Sequence, residues 1–426
     1  MLIETVQAGE TLWAIARRFG ANVDEVMRLN GITDPERLVI GEALVVPTEA
    51  RRHTVRPGES FWSISRIYGV TVEQLQAANP GVNPNLLQPG MVLNIPERPK
   101  TTIQSNGYLL PVSPQSDQAN VRNVAEFLST FSIFQYRTDV NGDLVPPNDA
   151  AALAAIRQTD AVAMMVVTNF SEGTFSAPLA HTIFTDQRAR ERLFSEIVRT
   201  LRDKRFYALN IDFEHVFPAD RERYNNFLRE LAGRVHEAGF PISTALAPKM
   251  SATQVGEWYE AHDYPVHGQI VDFVILMTYE WGWSGGPPMA VAPIPQVRAV
   301  LDYAISVIPR QKILLGAPLY GYDWTLPFVK GGKFARSLSP QAAVEQAARV
   351  GANIQFDYTA QAPFYRYYDA DGKEHVVWFE DARSMQAKFN LIDAYGLRGI
   401  SYWVLGNEFP QNWALLQDRF NIRKFA

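Results

Sequence analysis

Two hydrophobic periods divide the chain near residue 100. Before it, Leu12, Ile15, Ala16 and Phe19 fall at i, i+3, i+4 and i+7, one face of a helix. Phe61, Ile64 and Tyr68 repeat that stripe. Thr11 and Ser60 stand where N-caps belong. Second helices are predicted at about 23–29 and 72–78, ended by Asn30-Gly31 and by Asn79-Pro80-Gly81. With short strands at 3–6 and 43–46, and at 53–55 and 92–95, each copy reads β-α-α-β. After residue 102, short apolar runs alternate with helical stripes, the pattern of a parallel sheet. Strands are predicted at 103–108, 131–136, 161–167, 207–213, 241–245, 273–278, 312–316 and 399–403. The helices between them include 117–127, 187–203, 221–238, 295–307 and 384–395.

The first hundred residues are a repeat. Val6-Gln7-Ala8-Gly9-Glu10-Thr11-Leu12-Trp13 returns as Val55-Arg56-Pro57-Gly58-Glu59-Ser60-Phe61-Trp62 at an offset of 49 residues, held without a gap through Gly20/Gly69, Asn30/Asn79, Gly41/Gly90 and Pro47/Pro96. Both copies resemble the LysM domain in their opening Val-x-x-Gly-Glu, mid-unit Asn and closing Pro. The resemblance implies two carbohydrate-binding modules, at 2–47 and 52–96, that take N-acetylglucosamine-containing glycans. It places the groove at Gly9, Glu10, Thr11, Leu12, Asn30, Gly31 and Ile32, and at Gly58, Glu59, Ser60, Phe61, Asn79, Pro80 and Gly81. Helix capping and turn formation alone would also account for most of these residues singly. The joints at 48–52 and 97–103 are short and charged, so the modules are expected to be closely tethered. Two weak sites on one chain suit a polymeric substrate through effective concentration.

Eight strand–helix units in the remaining residues, 104–426, predict an α/β fold, a (β/α)8 TIM barrel. The segment at about 324–378 is an α+β insertion, with polar-aromatic runs at 364–368 and 375–378 around the turn Asp369-Ala370-Asp371-Gly372. An open doubly wound sheet is the rival, but no glycine-rich phosphate loop follows the first strand. Polar and aromatic residues gather at many strand ends instead. The stretch 207–214 is central. Read as a strand, it sets Asn210, Asp212 and Glu214 on one face and Leu209, Ile211 and Phe213 on the other. Crowded carboxyls push one pKa up, which makes an acid available near neutral pH. Solvated or ion-paired polar residues would give the same bare pattern.

With Met277-Thr278-Tyr279-Glu280 on the sixth strand and Trp403 ending the eighth, the chain resembles glycoside hydrolase family 18. Asp212 and Glu214 meet the last two acidic places of that family's fourth-strand motif, while Tyr207 and Asn210 stand at the first two. The combination with LysM units is similar to the N-acetylglucosaminidases of spore-forming bacteria that digest cortex peptidoglycan. The resemblance implies that Glu214 is the general acid and then base, and that Asp212 orients the substrate acetamide and hydrogen-bonds Glu214. Tyr279 would donate to the acetamide oxygen and Trp403 would floor the subsite. Asn210 would take the place of an acid that shares a proton in chitinases. Glu280, Met277, Tyr136, Asn169, Trp281 and Tyr320 are the further substrate-binding candidates. The loop 281–288 reads as a turn with aromatic plugs, in which Trp281 or Trp283 could wall a sugar site.

Composition narrows the alternatives. A net charge of −5 gives no reason to expect nucleic acid or an anionic membrane. The absence of cysteine excludes disulfides and thiolate metal sites. The seven histidines show no metal-ligand spacing, and no metal or cofactor is expected. The N-terminus lacks the basic and apolar regions of a signal peptide, so deposition at the spore coat or cortex, or in the cell wall, would use another route. A monomer acting on peptidoglycan strands is expected. A chitinase and a non-catalytic peptidoglycan-binding protein are the alternatives. Product analysis separates the three.

Overall fold

The computed structural model describes residues 1–48, 52–97 and 100–425. Within the joints expected at 48–52 and 97–103, residues 49–51 and 98–99 lie outside the described residues.

In the first repeat, strands Leu2–Thr5 and Ala43–Val46 pair antiparallel beside helices Leu12–Phe19 and Val23–Asn30. Thr11 caps the first helix by accepting from the Ala14 N–H, and Gly20 ends it at φ +66°. The second repeat pairs Arg52–Thr54 with Val92–Asn94 around helices Phe61–Tyr68 and Val72–Ala77. Reciprocal capping boxes, Ser60 with Ser63 and Thr71 with Gln74, start both of those helices. Their apolar stripes meet in one shared core: Leu12, Ile15 and Ala16 from one copy, Phe61, Ile64 and Tyr68 from the other.

The remaining chain closes as expected into eight parallel strands: Thr101–Leu109, Thr130–Thr138, Val162–Thr168, Ala208–Asp212, Ile242–Leu246, Phe273–Leu276, Ile313–Pro318 and Gly399–Trp403. Closure comes from strand one, which pairs with both strand two and strand eight. Strand residues alternate. Ala208, Met164, Val166, Ile275 and Leu314 fill the barrel interior, whereas Leu209, Ile211 and Phe213 join the core beneath the helices. The predicted helix at 117–127 starts earlier, as Pro114–Val124 capped by Ser113, and finishes in a 3-10 turn, Ala125–Phe127.

The insertion begins before the expected residue 324, because Gly321–Thr325 already belongs to its sheet. Five antiparallel strands run in the order Arg336–Leu338, Gly321–Thr325, Glu374–Trp378, Ala362–Tyr368, Gln355–Asp357, and helix Pro340–Val350 packs on them. The hairpin turn is formed as expected: Asp369 Oδ1 accepts from the N–H groups of Asp371 and Lys373, and Gly372 has φ +74°.

The first repeat does not hang free. Its Ile3, Leu29, Ala43 and Val45 belong to the same apolar core as Trp413 and Ala414 of the barrel's last helix, Pro410–Arg419.

Candidate active site

Strand four ends at Asp212, one residue earlier than its pattern predicts, and His215 then turns the chain at φ +51°. Glu214 therefore sits on a loop, and a neighbouring strand fixes its backbone. Asn169, just past strand three, accepts from the Glu214 N–H (3.0 Å) through Oδ1 and donates to the Glu214 carbonyl (2.8 Å) through Nδ2. His262 performs a similar task one residue back. Its Nδ1 accepts from the Ala247 N–H (2.7 Å), so Nε2 carries the proton and donates to the Phe213 carbonyl (3.0 Å). Burial pushes the His262 pKa down to about 4, which keeps this bridge neutral.

Burial pushes both acids up. For Glu214 the Asp212 charge adds to burial, while a hydrogen bond from Trp258 opposes it. The Trp258 indole N–H donates to Glu214 Oε2 at 2.6 Å. Asp212 was expected to bond Glu214. Instead its buried Oδ1 has no hydrogen-bond partner. Buried polar atoms are nearly always paired, so an orphan acceptor at a barrel mouth marks a place for a donor from outside the chain. Beneath it, Tyr108 donates to Asn210 Oδ1 (3.1 Å) and Asn210 Nδ2 donates to Ser243 Oγ (2.9 Å), so Asn210 is a hydrogen-bonded neutral amide behind the acids. Burial, Asp212, Glu214 and Glu280 hold the Tyr279 phenol well above its usual pKa, which keeps its proton available for donation.

Trp403 ends strand eight half-buried, with its ring 4.8 Å from Phe134 and 5.4 Å from Tyr108 in edge-on contacts. Glu280 adopts φ +68° and receives the hydroxyls of Tyr320 and Tyr322. Tyr320 is thus spent on Glu280, and Met277 is packed in the core. Trp281 is half-buried, its backbone N–H donating to the Val291 carbonyl.

Two substrate-binding expectations are corrected. Asn169 is fully buried and all its bonds hold backbone, so it clamps the acid's loop. Tyr136 is outside the cleft, its hydroxyl between Asp149 and Lys204. The cause is a bulge in strand two: Ile133 pairs with Met165 but Tyr136 with Val167, so one extra residue reverses the alternation and turns Tyr136 to the helix layer. Trp258, Tyr108 and Ser243 were not anticipated. The only signal for Trp258 was an aromatic pair, Trp258-Tyr259, in the long loop after strand five.

In the repeats, Leu12 and Phe61 are core residues, and Thr11 and Ser60 are helix caps. Glu10 pairs with Arg18, and Glu59 accepts from His53 and from the Arg56 N–H. Asn30 and Asn79 are buried, each tying its second helix to its last strand through the carbonyls of Val26 and Val45, or of Leu75 and Asn94. These two amides are framework rather than groove. Gly9, Gly58, Pro80 and Gly81 are exposed, while Gly31 and Ile32 are half-covered.

A closed parallel barrel with one buried and one half-buried carboxyl, a phenol and indoles at its C-terminal mouth defines a glycoside hydrolase. Residues 108–408 match the family described as Glycosyl hydrolases family 18, and the chain belongs to that family. Residues 5–47 and 53–96 each match the LysM domain. Over its whole length the chain is 54% identical to the cortical fragment-lytic enzyme of Bacillus subtilis, covering 100% of this chain and 99% of that one. It is also similar to the solved spore cortex-lytic enzyme SleL of Bacillus cereus, with a TM-score of 0.93 and 41% identity over 99% of this chain and 98% of the other. The SleL structure from Bacillus megaterium gives a TM-score of 0.88 and 40% identity over 100% and 99%.

Proposed function

We propose that this chain hydrolyses the β-1,4 bond after N-acetylglucosamine in peptidoglycan, with retention and with help from the substrate's own acetamide, and that it acts on spore cortex fragments during germination. The observation that carries this reading is the unequal pair at the barrel mouth: Glu214 held by a donor, Asp212 left with an orphan acceptor. In the proposed reaction, Glu214 gives its proton to the leaving glycosidic oxygen. The acetamide oxygen attacks the anomeric carbon as that bond breaks, giving an oxazolinium intermediate. Asp212 accepts the acetamide N–H, and Tyr279 donates to the acetamide oxygen. Glu214, now a carboxylate, takes a proton from the incoming water, whose oxygen opens the oxazolinium ring. The LysM region holds the N-acetylglucosamine-containing polymer while the barrel cuts. The enzyme works as a monomer in the spore, without nucleic acid or membrane as partner.

Mass spectrometry of defined cortex fragments tests the proposal. Products ending in reducing N-acetylglucosamine are expected, with no cleavage of glycans stripped of their acetyl groups. Chitobiose from chitin as the main product would indicate a chitinase. Glu214→Gln is expected to bind fragments normally and to lower kcat by ~10²–10⁴; near-normal turnover would remove Glu214 from the acid's role.

A further inference from the structure

The two repeats are built alike but placed differently. In the first, the turn before the closing strand is locked into the catalytic domain, against its insertion and the helix that follows it. The Ile354 N–H donates to the Ile40 carbonyl at 2.9 Å, Arg383 donates to the Gly41 carbonyl at 3.0 Å, and Val39 lies in the insertion's own apolar core. A Cβ on Gly41 would sit 1.8 Å from the Ile354 carbonyl oxygen. Its loop after the second helix is covered as well. Gln341 on the insertion helix donates to the Gly31 carbonyl at 3.0 Å, and Gln411 donates to Asn30 Oδ1 at 2.9 Å. What remains between residues 31–37 and that helix is a gap of about 90 Å³, well below the ~300 Å³ at which ligand clefts begin.

The second repeat provides the control. Gly41 corresponds to Gly90, Val39 to Gln88 and Ile40 to Pro89, so the residues that dock in copy one are polar or turn-forming in copy two. Gly81 and Gly90 have no heavy atom within 4 Å of where a Cβ would be, whereas a Cβ on Gly31 would meet Gln341 at 2.9 Å; the first-loop glycines Gly9 and Gly58 are both open, so the copies differ at the second loop and the turn. Arg66 and Gly69, on and just after the first helix, contact Gln361 and Arg419 of the catalytic domain, which leaves both loops outward. Leu86, at the tip of the second loop, is 67% exposed where copy one has Arg37.

We propose that the repeats divide the work: the first is a fixed bracket of the catalytic domain, and the second alone grips N-acetylglucosamine-containing glycan, between the loops that carry Gly58 and Gly81. This division rests on the reading of the repeats as glycan-binding modules. It also sets the polymer at one side of the barrel instead of two.

Sedimentation of the full chain with insoluble cortex peptidoglycan tests it, in a Glu214→Gln background that leaves the polymer intact. Matched substitutions at exposed first-loop positions are Ala8→Glu and Pro57→Glu, with Gly81→Glu for the second loop of copy two. Pro57→Glu and Gly81→Glu are each expected to weaken binding about ten-fold or more, or ~1.4 kcal/mol, and Ala8→Glu to leave it unchanged. An Ala8→Glu loss equal to that of Pro57→Glu overturns the division while glycan binding by the repeats stands. Binding untouched by all three overturns both. Gly41 and Gly90 have nearly equal positive φ, +85° and +89°, so the difference between Gly41→Ala and Gly90→Ala reads docking. Gly41→Ala is expected to lower the melting midpoint of the catalytic domain by several degrees more than Gly90→Ala; equal midpoints also overturn the bracket.

Discussion

Trp258 and Asn169 act on Glu214 in different ways, and their substitutions separate the two effects. The indole N–H favours the charged carboxylate, opposing the burial that raises its pKa. Trp258→Phe removes that donor, so the Glu214 pKa rises further. Because Glu214 must be protonated to act as the acid, the basic limb of the kcat/KM profile is expected to move to higher pH; a limb that stays in place would show that the contact does not tune the acid. Asn169→Ala leaves the Glu214 N–H and carbonyl without their partners. Each unmet buried group costs about 1–3 kcal/mol, so a lower unfolding free energy and a fall in kcat with KM little changed are expected. A rise in KM alone would return Asn169 to the substrate. At this scale the sequence made Asp212, Glu214, Tyr279 and Trp403 legible, because they lie at or just past strand ends and match a family spacing. Trp258 was not legible, since a loop residue's direction is set by its whole loop. Tyr136 was misplaced because a bulge has no mark in a two-residue period.

Single elements were legible where capping residues bound a stripe. Thr11, Ser60 and Thr71 start helices at the predicted places, and Gly20 and Gly31 stop the two helices of the first repeat. Less visible was which polar residue of a turn is buried. Glu42, in the turn before strand Ala43–Val46, accepts from the Val39 N–H at 3.1 Å and is buried against the insertion. Burial raises its pKa from 4.5 to about 7. Between those two values the folded state binds the proton that the unfolded chain has released. Its stabilising contribution is therefore full below about pH 4.5 and falls as the pH rises to about 7, by up to about 3 kcal/mol. Glu42→Gln keeps the acceptor and removes the charge. The variant is expected to be more stable than the parent at pH 7–8 and equal to it near pH 4. Urea unfolding at both pH values measures the difference, and a parent–variant gap independent of pH would show that Glu42 is not buried as an acid.

At the scale of the molecule, the eightfold count of strands gave the barrel, and the offset of 49 gave the repeats. Neither gave their joining, because a docked module and a tethered one have the same internal pattern. The clues lay in differences between copies, such as Val39 against Gln88, whose meaning depends on a partner surface 300 residues away in the chain. Docking gives the first repeat and the barrel a shared core, so they are expected to unfold as one cooperative unit. Gln411, buried in the barrel's last helix, donates to Asn30 Oδ1 at 2.9 Å and to the Ala43 carbonyl at 2.7 Å. Gln411→Ala leaves that carbonyl without this donor and opens a polar gap in the shared core, so a loss of about 1–3 kcal/mol is expected. Because the core is common, the loss should appear in the unfolding of the whole catalytic domain, followed by residual glycosidase activity as well as by far-UV circular dichroism. The exposed Gln88→Ala, in the turn of the second repeat, is expected to be neutral by both measures. If Gln411→Ala shifted only an early transition, with activity lost at the parent's denaturant concentration, the first repeat would be melting alone, and the two domains would be neighbours rather than one folded unit.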